Sequence, residues 1–395
     1  MSQPGLRFQS SRLGILLLPV LLAGCSDARW LSKGAAKIGG ITVQGPHAIV
    51  CWGDSMTQGN EGVINAGIYP GILQTSIGPQ VVNEGIGGQT STQIGVRQGG
   101  VPTPVTVAGG VIPANGGVTV KFATGYEPLT DPYITIQGSI DGVVGNLALS
   151  AVLPGGVFTF TPIAGSRTPV TVIGTPRFVP ETPYQTFLPI FWEGRNNLFA
   201  TAKGPYGPAQ IESDIAAQVA SLPKSLNYLV LSLLNQNDPN ERSGGVGYAT
   251  VMSLDNTLSA TYGTHYLDVR SLLVNSYDSA SPVDVSDYNS DMIPTSLGAT
   301  TAQGTLVSRI GKTDTTFTVK LSAGSLTGYN NLVIDNESIH ILTVSGSTVT
   351  SCTRGYGGTL ASHSAGAAVT QRDPTHLNSQ GYTIVANAVA KKLGL

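Results

Sequence analysis

Residues 48–56 read Ala-Ile-Val-Cys-Trp-Gly-Asp-Ser-Met, an apolar run that ends in Gly53-Asp54-Ser55. An unbroken apolar run of this length, closed by glycine, is typical of a strand buried on both faces of a parallel sheet. Gly67–Ile77 has the character of a helix, and Gln80–Asn83 reads as a second strand. Strands that alternate with helices predict an α/β domain.

The same alternation returns after residue 183. Apolar runs predict further buried strands at Phe187–Trp192, Tyr228–Leu234 and Tyr266–Val269. Between and after them, apolar residues recur at helical spacing. These apolar positions are Ile211, Ile215, Val219 and Leu222, then Val251, Leu254 and Leu258. A closing helix is outlined by Ile384, Ala388, Val389 and Lys392.

Two stretches of short β-branched runs, separated by Gly, Pro, Asn or Asp, interrupt the α/β pattern. The first stretch contains Val105–Val107, Val118–Phe122, Tyr133–Ile136, Leu147–Val152, Val157–Phe160 and Val170–Ile173. The second contains Phe317–Leu321, Leu332–Ile334, Ile339–Val344 and Thr348–Cys352. Short strands at this spacing predict a β-sandwich or a small barrel inserted in the α/β domain.

The chain therefore divides into segments with different expected roles. We expect an α/β domain in three parts, 46–97, 184–293 and 372–395. A β-sandwich-like module is expected at 98–183 and a second β module at 294–371. Residues 1–24 are expected to be a signal peptide, and 25–45 a tether.

The N-terminal segment has the anatomy of an export signal. Arg7 and Arg12 precede the apolar stretch Leu13–Leu22, which is too short to span a bilayer. It ends in Leu22-Ala-Gly-Cys25, which resembles a bacterial lipobox and implies lipidation of Cys25. We expect an exported protein, an outer-membrane lipoprotein or a periplasmic or cell-surface protein, of bacterial or phage origin. An ordinary signal peptide, or an arm that is never cleaved, remains the alternative.

Net charge and cysteine spacing give no indication of a nucleic-acid partner or of a zinc site. The net charge of −2 gives no reason to expect nucleic acid as a partner. The three cysteines Cys25, Cys51 and Cys352 do not form a disulfide framework, and their spacing does not suit zinc. We expect Cys51 and Cys352 to be small buried hydrophobic residues.

Ser55, Asp373 and His376 carry the chemistry that this sequence suggests. Asp373-Pro-Thr-His376 stands just before the C-terminal helix, so its carboxylate can orient the imidazole on one local turn. A serine becomes a useful nucleophile when an oriented base takes its proton. Taken singly, Gly-Asp-Ser could be a simple turn, and Asp-x-x-His a surface turn or a metal pair.

Together these motifs resemble the SGNH hydrolases, a group of GDSL-type esterases. The resemblance covers the α/β segments and neither insertion. It implies a three-layer, flavodoxin-like parallel sheet and a nucleophile at Ser55. It also implies an oxyanion hole formed by the Ser55 and Gly88 N–H groups and the Asn196 side chain, with Gly88 in the cluster 83–90 and Asn196 after Gly194. Asn237 is the alternative to Asn196. The implied mechanism needs no metal and no cofactor.

The substrate is expected to be an acyl ester, and an acetyl ester on a carbohydrate is the preferred form. Two β insertions are similar to accessory modules of enzymes that deacetylate polysaccharides, and the second resembles β modules of phage tail proteins. Aromatic residues that could contact a sugar, or could instead pack in the core, are Tyr126, Tyr133, Trp192 and Tyr356. A lipolytic esterase at the outer membrane and a non-catalytic glycan-binding protein are the alternatives. A metal hydrolase that uses Asp54 with Asp373 and His376 is a weaker third.

Overall fold

The computed structural model describes residues 36–38, 41–43, 48–59, 67–77, 80–163, 168–199 and 204–395. The expected signal peptide and the lipidation site Cys25 lie outside the described residues, as does His47. Within the expected tether, Ala36–Ile38 (β1) pairs antiparallel with Ile41–Val43 (β2). In the described part of the chain, no helix has the length and apolar character that crossing a membrane requires.

Five parallel strands form the central sheet. They are β3 (Ile49–Gly53), β4 (Val81–Gly85), β13 (Leu188–Trp192), β14 (Leu229–Leu231) and β15 (Tyr266–Leu267). Their order across the sheet is β15-β14-β13-β3-β4, and every neighbouring pair is parallel. Numbered along the chain, this order is 2-1-3-4-5, so the direction of winding reverses between β3 and β13.

Helices cover both faces of this sheet. The helices of the described residues are, in chain order, α1 (Ser55–Gln58), α2 (Tyr69–Ile77), α3 (Ser91–Gln98), α4 (Pro208–Ser221), α5 (Val246–Tyr262), α6 (Val269–Val274), α7 (Pro282–Asn289) and α8 (Ser379–Leu393). Side chains of α2, α6 and α8 share one apolar core with the sheet, and those of α3, α4 and α5 share another. The α/β part of the chain therefore has three layers.

Strand β3 illustrates why the apolar runs form this sheet. Ile49 and Cys51 belong to one core, while Val50 and Trp52 belong to the core on the opposite face. Each of these side chains is at most 4% exposed. Because successive side chains of a strand point to opposite faces, a strand covered on both faces must be apolar at every position. The prediction of a buried strand is confirmed, as is the burial of Cys51.

The described residues of the first insertion form eight strands. They are β5 (Thr103–Val107), β6 (Val111–Ile112), β7 (Val118–Phe122), β8 (Thr135–Ile140), β9 (Val143–Leu149), β10 (Phe158–Pro162), β11 (Val170–Thr171) and β12 (Arg177–Pro180). Six of them close into a barrel in the order β10-β7-β5-β12-β8-β9. The module is thus a closed barrel and not two packed sheets. Ile86 of the α/β domain packs in the apolar core of this barrel.

The sequence prediction misplaced the β8–β9 hairpin. Tyr133–Ile136 and Leu147–Val152 were expected to be strands, whereas the strands meet at Asp141-Gly142. Both turn residues have positive φ, 50° and 80°, as a two-residue hairpin turn of the mirror-image type requires. The Asp-Gly pair was the signal that fixes this register.

The second insertion is a six-stranded barrel. Its strands are β16 (Gly298–Leu306), β17 (Phe317–Gly324), β18 (Asn331–Ile334), β19 (Glu337–Ser345), β20 (Thr348–Gly358) and β21 (Ala368–Leu377). They close in the order β16-β17-β20-β19-β18-β21, and Cys352 is buried in the apolar core, as expected. Helix α7 packs against β19 and β20. Strand β21 runs through the expected boundary at residue 371, so the barrel and the C-terminal block share one strand.

Candidate active site

Ser55 lies at a tight junction between strand and helix. Strand β3 ends at Gly53, Asp54 caps α1, and Ser55 is the first residue of that helix. A Cβ atom at Gly53 would lie 2.1 Å from Thr57 Oγ1 and 2.4 Å from the Trp192 carbonyl oxygen, so glycine alone fits there. The buried Asp54 carboxylate accepts a hydrogen bond from the Met56 N–H at 2.9 Å. This junction holds Ser55 at the carboxyl end of the sheet.

The end of β21 brings Asp373 and His376 to the serine. His376 Nε2 lies 2.9 Å from Ser55 Oγ, and His376 Nδ1 lies 3.0 Å from Asp373 Oδ2. The other carboxylate oxygen, Oδ1, accepts from the N–H groups of Thr375 at 2.7 Å and His376 at 3.0 Å. Because a carboxylate only accepts, Nδ1 carries the proton and Nε2 is free to accept from the serine hydroxyl.

The pKa values of the pair move in opposite directions. Burial favours the neutral Asp373, but hydrogen bonds from His376 and Thr375 and the imidazole charge outweigh it and lower the pKa of this carboxyl. Burial also favours the neutral His376, but the hydrogen bond and charge of Asp373, with a contribution from Asp54, raise the pKa of the imidazole. Asp373 is thus an anion that strengthens His376 as a base. Burial raises the pKa of Asp54 itself to about 6.

The loop after β4 lies against Ser55. A Cβ atom at Gly87 would be 3.7 Å from Ser55 Cβ. The Gly87 N–H donates to Gln58 Oε1 at 2.6 Å, which removes it from any role toward a ligand. Gly88 has φ +75° and open space around its α-carbon. In the part of the chain that the structure describes, the Gly88 N–H has no acceptor, so it can donate to a bound oxyanion.

Asn196 and Asn237 lie in different environments. Asn196 follows β13 in a 3₁₀ turn and is exposed, and its Nδ2 donates to the Gln89 carbonyl oxygen at 2.9 Å. This bond places the amide beside Gly88 and leaves its second N–H available. Asn237 is 3% exposed, and its Nδ2 donates to Ile293 O and Thr295 Oγ1, at 3.0 and 3.1 Å. Of the two asparagines, Asn196 is therefore the one with a free donor.

The turn that carries Asn196 is fixed by buried polar contacts. Gly194 has φ +106°, and Arg195 makes two hydrogen bonds to the Glu241 carboxylate, at 2.5 and 2.6 Å. Asn197 accepts from the Ser91 N–H at 3.1 Å and donates to Ser91 Oγ at 3.0 Å. The turn is thus bonded to the start of α3, which follows the Gly88 loop.

The aromatic residues considered for sugar contact differ in how much of each side chain is exposed to solvent. Trp192 and Tyr356 are 3% and 7% exposed, so both pack in the core, which was one of the two roles that the sequence left open. Tyr126 is half-buried, whereas Tyr133 is 96% exposed on the first barrel. Tyr329 of the second barrel, 70% exposed, was not recognised from the sequence.

Several other residues of the site were also missed. Gln58 and Asn331 act through contacts that join segments distant in sequence, and no local pattern marks them. The remaining histidines of the described residues, His265, His340 and His363, make hydrogen bonds away from Ser55. Among the described residues, no cluster of three or more His, Cys, Asp or Glu side chains could hold a metal ion.

Comparisons of the chain with protein-family models, with curated proteins and with solved structures found no match. What the site can do follows from its geometry. A serine hydroxyl, an oriented imidazole and a carboxylate stand in one hydrogen-bonded line, beside a loop with a free N–H group. This arrangement can perform acyl transfer.

Proposed function

We propose that the protein is a serine esterase that hydrolyses acyl esters through an acyl-enzyme. The observation that carries the proposal is the line from Asp373 Oδ2 through His376 to Ser55 Oγ, with contacts of 3.0 and 2.9 Å. Ser55 lies near the beginning of the chain and the other two residues near its end, and Ser55 and His376 are separated by 321 residue numbers. A binding protein has no need of such an alignment, whereas a nucleophile activated by a base requires it.

The mechanism uses groups already in place. His376 Nε2 takes the Ser55 proton as Oγ attacks the ester carbonyl carbon. The N–H groups of Ser55 and Gly88 and the side chain of Asn196 donate to the developing oxyanion. His376 returns the proton to the departing alcohol, and the acyl group stays on Ser55. Water, deprotonated by the same imidazole, then releases the acid and restores the serine.

The class we propose is the SGNH hydrolase. The strand order 2-1-3-4-5 is that of flavodoxin-like sheets, which bind ligands at the crevice where the strand order reverses. Here the crevice lies between the ends of β3 and β13, which carry Ser55 and Asn196. The motif residues around Ser55, Gly88, Asn196 and His376 support the same class. Neither metal nor organic cofactor takes part in the proposed reaction.

For the substrate, we favour an acetyl ester on a carbohydrate. Tyr133 and Tyr329 are exposed on the two barrels, and exposed tyrosines suit contact with the apolar face of a sugar ring. Export and attachment to a membrane through a lipidated Cys25 belong to the same proposal, since a surface glycan is met outside the cytoplasm.

Hydrolysis of p-nitrophenyl acetate tests the activity. The wild-type chain should release p-nitrophenol, and Ser55→Ala should not. Ser76→Ala is a matched control, because among the described residues the Ser76 hydroxyl donates to the Ile72 carbonyl within α2. If a folded Ser55→Ala variant hydrolyses the ester as fast as the wild type, the proposal is wrong. If the wild type is active and Ser55→Ala is not, rates with acetylated oligosaccharides and with p-nitrophenyl octanoate would distinguish a carbohydrate esterase from a lipolytic one.

A further inference from the structure

The second barrel is hydrogen-bonded to the turn that carries the base. Asn331, at the start of β18, donates from Nδ2 to the Asn237 carbonyl oxygen at 2.7 Å. The Asn237 N–H in turn donates to the Pro374 carbonyl oxygen at 2.9 Å. Pro374 lies inside the Asp373–His376 turn. Two successive hydrogen bonds therefore connect a barrel side chain with the backbone between the orienting carboxylate and the imidazole.

The barrel holds Asn331 in one orientation. His340 Nδ1 lies 2.9 Å from Asn331 Oδ1, and Asn331 and His340 are 1% and 3% exposed. Because the Asn237 carbonyl can only accept, the Asn331 amide nitrogen must face it, and Oδ1 then accepts from His340. Burial lowers the pKa of His340, which keeps the imidazole neutral. In a buried site, each of these groups would be costly to leave without its partner.

Further contacts meet on the same turn. Gln236 Nε2 donates to Thr375 Oγ1. Gln236, the residue before Asn237, therefore also contacts the turn that carries His376. Asn331 also lies opposite Arg372 in the pairing of β18 with β21, and Arg372 is the residue immediately before Asp373. The turn is thus anchored by the barrel through both backbone pairing and the Asn331 side chain.

We propose that Asn331 is a positioning residue for His376, acting through Asn237 and Pro374, and that the second barrel is part of the catalytic unit. The inference rests on the esterase function proposed above. An imidazole displaced by a fraction of an ångström loses alignment with both Ser55 Oγ and Asp373, and rates are sensitive to such displacements. The barrel would then set the geometry of the base as well as any contact with substrate.

The test compares Asn331→Asp and Asn331→Ala with Asn330→Ala. The aspartate still accepts from His340 but places an oxygen against the Asn237 carbonyl, while the alanine removes both bonds. Asn330 is the matched control, because this neighbouring buried side chain donates to Thr301 Oγ1 within the barrel, at 3.3 Å. Circular dichroism and thermal unfolding give the folded fraction of each variant.

Two measurements report positioning beyond folding. For the Asn331 variants we expect kcat for p-nitrophenyl acetate to fall about tenfold or more per folded molecule, with KM changed by less than about twofold. For Asn331→Ala, which adds no charge, we also expect an NMR titration of the His376 ring to move to lower pH, because the imidazole loses part of its contact with Asp373, while Asp54 is its other charged neighbour. Asn330→Ala should change neither.

The outcomes separate the two proposals. If the Asn331 variants are folded and keep the wild-type kcat and the wild-type His376 titration, Asn331 has no positioning role. The same conclusion follows if Asn330→Ala has equal effects. If wild type and Ser55→Ala are equally inactive, the esterase function fails, but the NMR titration still decides whether Asn331 positions His376.

Discussion

Gln58 and Gly87 are joined by a 2.6 Å hydrogen bond from the glycine N–H to the glutamine Oε1. Gln58 is the last residue of α1, the helix that begins at Ser55. Its carbonyl oxygen also accepts from Asn83 Nδ2, at 3.3 Å. The nucleophile and the proposed oxyanion loop are therefore held by one short segment, which fixes the Gly88 N–H relative to Ser55 Oγ.

Replacement of Gln58 should damage catalysis more than binding. We expect Gln58→Ala to lower kcat about tenfold or more, because a donor that is preorganised for the oxyanion loses its support, with little change in KM. Gln74→Ala is the matched control, since Gln74 accepts a bond of equal length from Val81 N at the far end of β4. Steady-state kinetics with p-nitrophenyl acetate would reveal the difference, and equal losses in both variants would contradict it.

Alanine substitutions of Asn196 and Asn237 should have different effects, the first on the catalytic rate and the second on the stability of the fold. We expect Asn196→Ala to lower kcat about 100-fold, the effect of losing one oxyanion donor, with little change in thermal stability because the side chain is exposed. Asn237→Ala removes two buried hydrogen bonds and should cost about 1–3 kcal/mol of unfolding free energy, with a much smaller effect on the rate per folded molecule. Urea unfolding and kinetics on the same samples check both. If only Asn237→Ala lowers the rate, Asn237 and not Asn196 is the oxyanion donor.

The pH dependence should report the Asp373–His376 pair. His376 can take the serine proton only when neutral, so kcat/KM should fall on the acid side with an apparent pKa above the ordinary value of 6.5. Asp373→Asn removes the charge that raises this pKa, so the acid limb should move to lower pH while activity falls about 10⁴-fold. Both profiles can be measured with p-nitrophenyl acetate between pH 4 and pH 8. An acid limb that moves upward in Asp373→Asn would contradict the assignment.

The sequence alone predicted the buried strands, the amphipathic helices and the short motifs, because each of these leaves a pattern within a few neighbouring residues. The strands β3 and β13 are apolar at every position because both faces are covered, and α4, α5 and α8 carry apolar residues at helical spacing. Ser55, Asp373 and His376 could be proposed because each stands in a short motif beside a predictable element. Their separation of 2.9–3.0 Å follows from the fold and not from the motifs.

The remaining features depend on contacts between distant segments. Strand β16 (Gly298–Leu306) lacks a regular apolar alternation and was not expected, since its partner β21 lies about 70 residues later. Asp373-Pro374 looks like a strand end because both residues are rare in strands, yet β21 continues to Leu377. Gln58 and Asn331 are likewise ordinary polar residues until the loops they bind are placed beside them.

Asp255 should make stability depend on pH. Its Oδ1 accepts from the Leu233 N–H at 2.9 Å, and burial raises the pKa of this carboxyl from 3.8 to about 7. The unfolded chain releases the proton at lower pH than the folded chain, so stability falls as the pH rises from about 4 to 7. Asp255→Asn keeps an acceptor for Leu233 and carries no charge. It should exceed the wild type by on the order of 2–4 kcal/mol at pH 8 and match it at pH 4, as measured by urea unfolding. An equal difference at both pH values would argue against an ionisation effect.

Tyr329 should distinguish a carbohydrate substrate from a small ester. Its φ of +64° is unfavourable for a bulky side chain, and the Tyr329 N–H is held by the Ile341 carbonyl at 2.8 Å. The ring is exposed two residues before Asn331, which pairs with Arg372 beside the base. Strained backbone conformations are often found near bound ligands, where the surrounding structure holds them in place. This ring is therefore a candidate contact for the sugar part of the carbohydrate substrate that we propose.

We expect Tyr329→Ala to raise KM for an acetylated oligosaccharide roughly 3- to 10-fold, the worth of one aromatic contact. KM for p-nitrophenyl acetate should stay unchanged, because that ester has no sugar ring to lose the contact. Tyr329→Phe keeps the ring and should behave as the wild type with both substrates. Tyr133→Ala tests the first barrel in the same assay. If Tyr329→Ala changes KM equally for the two esters, the ring does not contact a sugar, and the preference for a carbohydrate substrate loses its support from the second barrel.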